Sequence, residues 1–216
     1  MIGGSPCQDF SSANKEKLGL DGEKSSLFFE YLRLLNELKP KYFLLENVAM
    51  DEYSYNKISN LLNTYPITIN SEKVSAQLRE RVYWTNIGPE SFDMFGFRSS
   101  QIPQPKDKKI YLQDILTSGF TDRLKSRALL ESDSRPLASM EKMWYRYYEK
   151  GFTTIVYESE DLDYKKGIRY FNQTELERLQ TVPENYTSIL KRNDAACLLG
   201  DGWTVDVIAH IFSYIK

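Results

Sequence analysis

The stretch that bears most directly on the fold is the run Gly3-Gly4-Ser5-Pro6-Cys7-Gln8-Asp9-Phe10-Ser11. Ile2 to Gly4 resembles the end of a β-strand that enters a glycine turn, where the backbone turns tightly or approaches a ligand. Pro6 restricts the backbone just before Cys7, so the thiol leaves the strand end in a fixed direction. In an open α/β sheet, ligands bind beyond the carboxyl ends of the strands, where this cysteine falls. Cys7 is therefore a candidate nucleophile, although a cysteine without such context is more often an ordinary buried residue.

A second apolar run ends in an acid and reads Leu44-Leu45-Glu46-Asn47-Val48. The residues from Tyr42 to Leu45 are predicted to form a buried strand, because short apolar runs are typical of strands covered on both faces. The carboxylate of Glu46 is therefore expected at the same sheet edge as Cys7. An acid after so apolar a run either caps a helix or takes part in chemistry.

The third element is Gln77-Leu78-Arg79-Glu80-Arg81, which leads into a predicted strand from Val82 to Ile87. If this strand runs antiparallel to its neighbours, its entry lies at the edge that carries Glu46. Arg79 and Arg81 would then face the thiol and the carboxylate. A parallel orientation would remove this convergence.

Helical patterns alternate with these strands. Ser25 to Leu38 and Ser54 to Tyr65 have apolar residues at helical spacing, and Ile67 to Ile69 is a further predicted strand. Near the end of the chain, Asn172 and Glu175 have the spacing of a helix-capping box. This alternation predicts the α/β class, with a largely parallel sheet covered by helices.

The pattern divides the chain into three segments. Residues 1–87 carry the alternating strands and helices, and residues 169–216 hold two helices that are expected to return to them. Residues 88–168 are irregular and are interpreted as a small inserted domain. The aromatic residues at 144–148 are assigned to the core of this insert rather than to base contacts.

Composition excludes several classes of protein. The 216 residues are 41% apolar, which argues against disorder, and two cysteines are too few for a disulfide framework. We therefore expect an intracellular protein. We find no secretory signal, no apolar run long enough to span a bilayer and no pattern that predicts a metal site.

Charge gives no global indication of nucleic-acid binding, because the net charge is −2. Any DNA contact must use local clusters, whose ordinary interpretation is a solvated surface. Two such clusters are present: Lys106, Lys108 and Lys109, and Arg123, Lys125 and Arg127.

Two later motifs add to the three that are quoted above. Residues 169–183 read Arg169-Tyr-Phe-Asn-Gln-Thr-Glu175-Leu-Glu-Arg178-Leu179-Gln180-Thr-Val-Pro183, and residues 199–205 read Leu199-Gly200-Asp201-Gly202-Trp203-Thr204-Val205. With the three motifs above, in this order, they resemble the C5-cytosine-specific DNA methyltransferases. The cysteine loop, the residues 74–76 and Trp203 are most similar to the animal de novo subgroup. The resemblance covers the chain except residues 88–168.

The resemblance implies a partial Rossmann-like methyltransferase sheet with residues 88–168 as a small target-recognition domain. It also implies methyl transfer from S-adenosyl-L-methionine to C5 of a cytosine flipped out of double-stranded DNA. In the family, the thiolate at the position of Cys7 attacks C6, and the acid at Glu46 binds N3 and the exocyclic amine. The arginine at Arg81 holds the O2 side, and Arg79 is expected to organise the site with Glu46 or the DNA backbone.

Binding residues follow from the same resemblance. Asp201, Gly202 and Trp203 fall where the family contacts the cofactor, although core packing is an equal alternative for the indole. The stretch from Gln8 to about Lys24 matches a loop that closes on DNA. The expected DNA contacts in this loop are Gln8, Ser11, Asn14, Lys15 and Lys17.

The match is incomplete at its start, because the glycine-rich turn, the ribose-binding acid and the adenine contact of the family are not found. Three interpretations are open. The chain is one subunit of a split methyltransferase completed by a second chain, an inactive truncated product, or a non-catalytic regulator that resembles a methyltransferase and binds DNA. A cysteine hydrolase is an alternative from another class, but it needs a base, and His210 is the only histidine.

Overall fold

The computed structural model describes residues 1–4, 27–130 and 139–216. Its helices are α1 Leu27–Leu38, α2 Glu52–Leu62, α3 Leu112–Ile115, α4 Met140–Tyr148, α5 Gln173–Leu179, α6 Arg192–Asp201 and α7 Val205–Phe212. Its strands are β1 Ile2–Gly4, β2 Leu44–Asn47, β3 Thr64–Tyr65, β4 Ile67–Asn70, β5 Gln77–Leu78, β6 Glu80–Thr85, β7 Glu90–Phe92, β8 Arg98–Ser100, β9 Ser126–Arg127, β10 Val156–Tyr157 and β11 Ile168–Arg169. The predicted α/β class is confirmed.

The chain folds into two compact units. The first contains Met1–Ile69, Glu80–Gln104 and His210–Lys216, and the second contains Asn70–Arg79 and Pro105–Ala209. The three expected segments 1–87, 88–168 and 169–216 stay predictions. A recognition role for residues 88–168 stays a prediction.

A four-stranded sheet in the order β1-β2-β6-β4 forms the centre of the first unit. β1 runs parallel to β2, with Gly3 opposite Leu45, whereas β6 runs antiparallel to β2, with Trp84 opposite Leu45. The antiparallel orientation needed for the predicted convergence is therefore present. The sheet is mixed rather than largely parallel, because the segment 71–79 before β6 contains no α-helix to carry the chain over the sheet.

Helices α1 and α2 pack their apolar residues with this sheet. Phe28 from α1, Ile58 from α2 and Leu45 and Trp84 from the sheet are fully buried in one cluster. The indole of Trp84 donates to the hydroxyl of Ser59 (2.9 Å), which satisfies its only polar group inside the core.

The ends of α2 differ from the predicted bounds for local reasons. Asp51 accepts a hydrogen bond from the backbone N–H of Ser54, so the helix begins at Glu52 rather than at Ser54. Asn63 adopts the left-handed conformation (φ 48°), which ends the helix after Leu62.

The second unit has its core between α3, α5 and α6. Leu112, Leu176, Leu179 and Leu199 are among its buried residues. The predicted capping box of α5 is present, because Asn172 accepts from the Glu175 N–H (3.0 Å) and its own N–H donates to the Glu175 carboxylate (2.9 Å).

The aromatic residues of α4 divide between core and surface. Tyr147 is fully buried, and Trp144 stacks between Tyr148 (4.7 Å) and Tyr164 (4.8 Å). Tyr145 and Tyr148 are exposed. The assignment of this run to the core of the insert therefore holds for Tyr147 and not for the two exposed tyrosines.

Residues 192–212 have the length and composition of a membrane span, contrary to the expectation that no such run exists. The structure divides this stretch into α6 and α7, and Ala195, Leu199 and Val207 are buried within the fold. The core helices of a folded domain can have the same length and composition, so these two properties alone do not identify a membrane span.

Glu175 anchors several chain segments of the second unit through its buried carboxylate. Arg169 donates two hydrogen bonds to it (2.7 and 2.8 Å), and Thr117 donates from its backbone and its hydroxyl. Burial raises the pKa of this carboxyl, but the hydrogen bonds from Arg169, Thr117 and Asn172 outweigh burial and leave the pKa below its ordinary value. The charged form therefore stabilises the fold above the ordinary pKa of a glutamate. That contribution is lost as the pH falls through the lowered folded-state pKa.

We predict that Glu175→Gln lowers the free energy of unfolding by about 3 kcal/mol at neutral pH, because a charge-paired carboxylate is removed from the core. Urea denaturation measures this loss. The loss should shrink at acidic pH, as the wild-type carboxyl takes up a proton. Glu184→Gln is the matched control, since Glu184 pairs with Arg178 in solvent and should cost far less. Equal losses in both variants would contradict the role given to Glu175.

Candidate functional site

Glu46 is the most buried acidic residue in the sheet of the first unit. It lies in β2, whose four residues are all buried, and is itself 8% exposed. Asp51, not Glu46, caps the following helix. The helix-cap interpretation of Glu46 is therefore wrong, and the functional interpretation stays open.

The guanidinium of Arg81 compensates the charge of this carboxylate. Its Nε lies 3.1 Å from Oε1 of Glu46, and both side chains are largely buried. The antiparallel register places Glu46 opposite Tyr83, so Arg81 lies near the start of β6 at the edge where β2 ends. A second donor of Arg81 binds the carbonyl of Glu80 (2.7 Å). The pair offers a carboxyl that can exchange a proton and a cation that can hold a developing negative charge.

β1 brings the start of the cysteine motif to the same strand end. In the parallel register, Gly4 is the partner of Glu46. Gly3 is required by packing rather than by a turn, since a Cβ there would lie 2.8 Å from the ring of Tyr31. Cys7 and the expected DNA contacts lie outside the described residues; these contacts are Gln8, Ser11, Asn14, Lys15 and Lys17.

Arg79 is 4% exposed and contacts backbone carbonyls of the second unit. Its guanidinium donates to Leu129 (3.2 Å), Gly200 (3.1 Å) and Gly202 (2.8 Å). Three carbonyl acceptors offset part of the cost of burying the charge.

The expected cofactor residues lie at the end of α6. Asp201 is the last residue of this helix and is exposed, Gly202 follows as its C-cap, and Trp203 is half-buried. The turn thus offers solvent a carboxylate beside an aromatic ring, a combination that suits a nucleoside.

One of the two basic clusters has a structural role. The ammonium of Lys125 donates to the carbonyls of Glu72 (2.5 Å), Ser75 (2.9 Å) and Ile110 (2.6 Å), and burial lowers its pKa. Arg127 likewise donates to the carbonyl of Phe152 (2.8 Å). The lysines at 106, 108 and 109 are exposed, as their solvated-surface interpretation requires.

His210 is held by other groups of the first unit. Its Nε2 donates to the carbonyl of Pro103 (2.8 Å), and its ring packs edge-on against Tyr214. These contacts do not test the hydrolase alternative, because an imidazole that donates from one ring nitrogen can still accept a proton at the other.

The sequence model of the family described as C-5 cytosine-specific DNA methylase matches residues 1–216. The chain belongs to this family. The family resemblance seen in the five motifs is confirmed. Among the described residues, the motifs quoted above from this sequence contain the buried Glu46–Arg81 pair and the turn at 201–203.

Relatives of this family member include bacterial type II methyltransferases. M1.ScrFI of Lactococcus lactis subsp. cremoris is 29% identical over 217 residues, which cover 86% of this chain and 54% of that protein. M.NgoPII of Neisseria gonorrhoeae is 24% identical over 261 residues, which cover 100% of this chain and 76% of that protein. The methylase chain thus spans about half the length of the first relative. The similarity to the animal de novo subgroup stays a prediction.

Solved structures share the fold. The S. pombe Dnmt2 methyltransferase has a TM-score of 0.60 at 20% identity, covering 98% of this chain and 77% of that chain. The Entamoeba histolytica methyltransferase EhMeth has a TM-score of 0.58 at 19% identity, covering 99% and 75%. The methylase domain is therefore a partial methyltransferase α/β fold.

Sequence reasoning missed Gln77, Gln180 and Thr204, which form a buried polar network. Gln77 donates to the side chain of Gln180 (3.1 Å), which also accepts from the hydroxyl of Thr204 (3.0 Å). For Gln77 one signal was available: Gln77 and Arg79 alternate along an extended segment and therefore share a face.

A double-mutant cycle tests the Glu46–Arg81 pair. Urea unfolding of Glu46→Gln, Arg81→Met and the double variant should give a coupling energy of roughly 1–3 kcal/mol, because each partner compensates a buried charge. The more exposed pair Glu90–Arg98 (2.8 Å) is the control and should give less than about 1 kcal/mol. Additive effects at Glu46 and Arg81 would refute the pairing.

Proposed function

We propose that this chain is the catalytic portion of a DNA (cytosine-5-)-methyltransferase that acts on double-stranded DNA. The observation that carries the proposal is the buried Glu46–Arg81 pair at the strand end where Gly4, three residues before Cys7, pairs with Glu46. Membership of the C-5 cytosine-specific methylase family supports it. The names of the type II relatives favour a role beside a restriction system, inside the cell.

The reaction must first activate the ring, since C5 of cytosine is a poor nucleophile. The target base leaves the helical stack, because its edge is otherwise inaccessible, at a cost of roughly a few kcal/mol. The thiolate of Cys7 then forms a bond to C6, the C5=C6 π pair shifts to the C4–C5 bond, and the C4=N3 π pair moves onto N3. The Glu46 carboxyl, in its protonated form after taking up a proton from solvent, delivers that proton to N3, which leaves C5 with the character of an enamine.

Arg81 stabilises charge at the opposite side of the base. A guanidinium has several N–H donors, and the contacts to Glu46 and to the Glu80 carbonyl leave others for the cytosine O2. Its fixed position means that little reorganisation is needed when negative charge develops.

S-adenosyl-L-methionine, when bound, supplies the electrophilic methyl group that C5 takes. The turn Asp201-Gly202-Trp203 fits this ligand in part, because an exposed carboxylate and a half-buried indole suit its polar groups and its adenine. Water then takes the C5 proton, and the C5–H electron pair re-forms the C5–C6 double bond as the S–C6 bond breaks. N3 returns its proton to Glu46, and the Cys7 thiolate and 5-methylcytosine are released.

Two further assignments belong to this proposal. Residues 88–168 recognise the target sequence, and the loop with Gln8, Ser11, Asn14, Lys15 and Lys17 contacts DNA. The remaining contacts to the methyl donor come from protein outside these 216 residues, either on the same polypeptide or on a second chain. A DNA-binding regulator without catalysis is the second candidate function, and the adduct experiment below separates the two.

Trapping on DNA tests the catalytic role of Cys7. A duplex that contains 5-fluorocytosine, incubated with the full chain and S-adenosyl-L-methionine, should form a covalent complex that survives denaturing electrophoresis, because fluorine cannot leave as the C5 proton does. Cys7→Ser should abolish the complex, and the matched control Cys197→Ser should retain it. Loss of the adduct in both variants, or in neither, would contradict the assignment. DNA binding by the wild-type chain without any adduct would favour the regulator.

Glu46→Gln should slow adduct formation by roughly 10²–10⁴-fold, because the amide cannot deliver a proton to N3. Single-turnover kinetics at saturating DNA measure this rate. Glu90→Gln is the control, since it also breaks an ion pair of the same unit and should change the rate little. A rate for Glu46→Gln within about twofold of the wild type would exclude general-acid catalysis by this residue.

A further inference from the structure

Arg79 belongs to the motif Gln77-Leu78-Arg79-Glu80-Arg81, yet the hydrogen bonds described for it are donated to backbone carbonyls. The carbonyls it binds belong to Leu129, Gly200 and Gly202. Two of these carbonyls flank Asp201, the last residue of α6. Arg79 therefore contacts the turn that carries the expected cofactor residues.

The end of a helix is a favourable place for a buried guanidinium. The last carbonyls of a helix have no partner within it and carry partial negative charge. Gly200 lies in the last turn of α6 and Gly202 is the C-cap residue that follows it, and Arg79 donates to the carbonyls of both. An arginine stays charged at all physiological pH values, so this interaction does not depend on a proton.

A second set of side chains fixes the same turn from its two ends. The amide of Gln180 donates to the carbonyl of Leu199, which lies in α6 two residues before the turn. The hydroxyl of Thr204, where it ends, donates to Gln180 (3.0 Å) and accepts from Ser71 (2.9 Å). The amide of Gln77 lies 3.5 Å from the same hydroxyl.

Along residues 200–204, positions that are held by hydrogen bonds alternate with positions whose side chains remain accessible. Residues 200, 202 and 204 are held through Arg79, Gln77, Gln180 and Ser71, and Thr204 is buried. The residues between them, Asp201 and Trp203, are exposed and half-buried. The network thus fixes the backbone and leaves these two side chains at the surface of the turn.

We infer that Arg79 is a positioning residue that sets the turn Asp201-Gly202-Trp203 for the methyl donor through the carbonyls of Gly200 and Gly202. It differs in this from Arg81, two residues later, whose guanidinium is paired with Glu46. The identity of the ligand rests on the proposed function, whereas the positioning itself does not.

Hydrogen exchange followed by mass spectrometry tests the positioning. Arg79→Met should speed exchange of the backbone amides from 200 to 205 by roughly tenfold or more, because the turn opens locally without unfolding of the whole unit. Arg79→Lys should give a smaller increase, since one ammonium cannot reach three carbonyls in the geometry of a guanidinium, and this variant keeps the charge if Arg79→Met fails to fold.

Arg127→Met is the matched control. Arg127 also donates to three carbonyls of the second unit, those of Tyr147, Phe152 and Thr153. Its loss should speed exchange near those residues and leave residues 200–205 unchanged. A uniform increase throughout the second unit in the Arg79 variants, or none at 200–205, would overturn the inference.

The ligand is tested separately by the dependence of adduct formation on S-adenosyl-L-methionine. Arg79→Lys should raise the half-saturating concentration by roughly tenfold and leave the rate at saturation within about twofold, as expected for a residue that sets a binding surface. A lower saturating rate with unchanged donor dependence would instead place Arg79 at the cytosine. If the wild-type chain forms no adduct, catalysis by this chain on its own is excluded, and the exchange result still decides whether Arg79 positions the turn.

Discussion

A buried carboxylate needs a cation, and in the first unit this requirement joins Glu46 to Arg81. An uncompensated charge at the end of a buried strand would cost several kcal/mol, at about the level of the stability of a small domain. Arg81 can meet this need only because β6 enters the sheet at the edge where β2 ends. The direction of one strand thus decides whether the acid is paired. The same strand end receives β1 through Gly4, which precedes Cys7 by three residues in the sequence.

The second unit satisfies its buried cations with backbone carbonyls instead of carboxylates. Arg79, Lys125 and Arg127 each donate to three of them. Such cations fix loops and helix ends that have no regular partner for their carbonyls. For this reason a basic cluster in the sequence was a poor guide to DNA contacts: two of its members hold the fold of the unit.

The elements that could be predicted were those whose signal is local. The capping box at Asn172 and Glu175 was read correctly because both partners lie within one turn of the same helix. The strand at 44–47 and the helices at 27–38 and 52–62 were also expected, with bounds shifted by a few residues where Asp51 and Asn63 terminate α2. Among site residues, the acid and the arginines were identified, whereas Gln77, Gln180 and Thr204 were not. Their partners lie from about 24 to more than 100 residues away in the chain, a separation that no local pattern reveals.

By itself, the sequence determined the family, the order of its motifs and the residue types available for chemistry, because these depend on identity and spacing along the chain. The tertiary structure alone decided that β6 is antiparallel to β2, that Glu46 pairs with Arg81 and that Arg79 binds the turn after α6. Two arginines separated by a single residue have the same intrinsic chemistry. Their different partners arise from long-range packing, which brings a carboxylate to one guanidinium and helix-end carbonyls to the other.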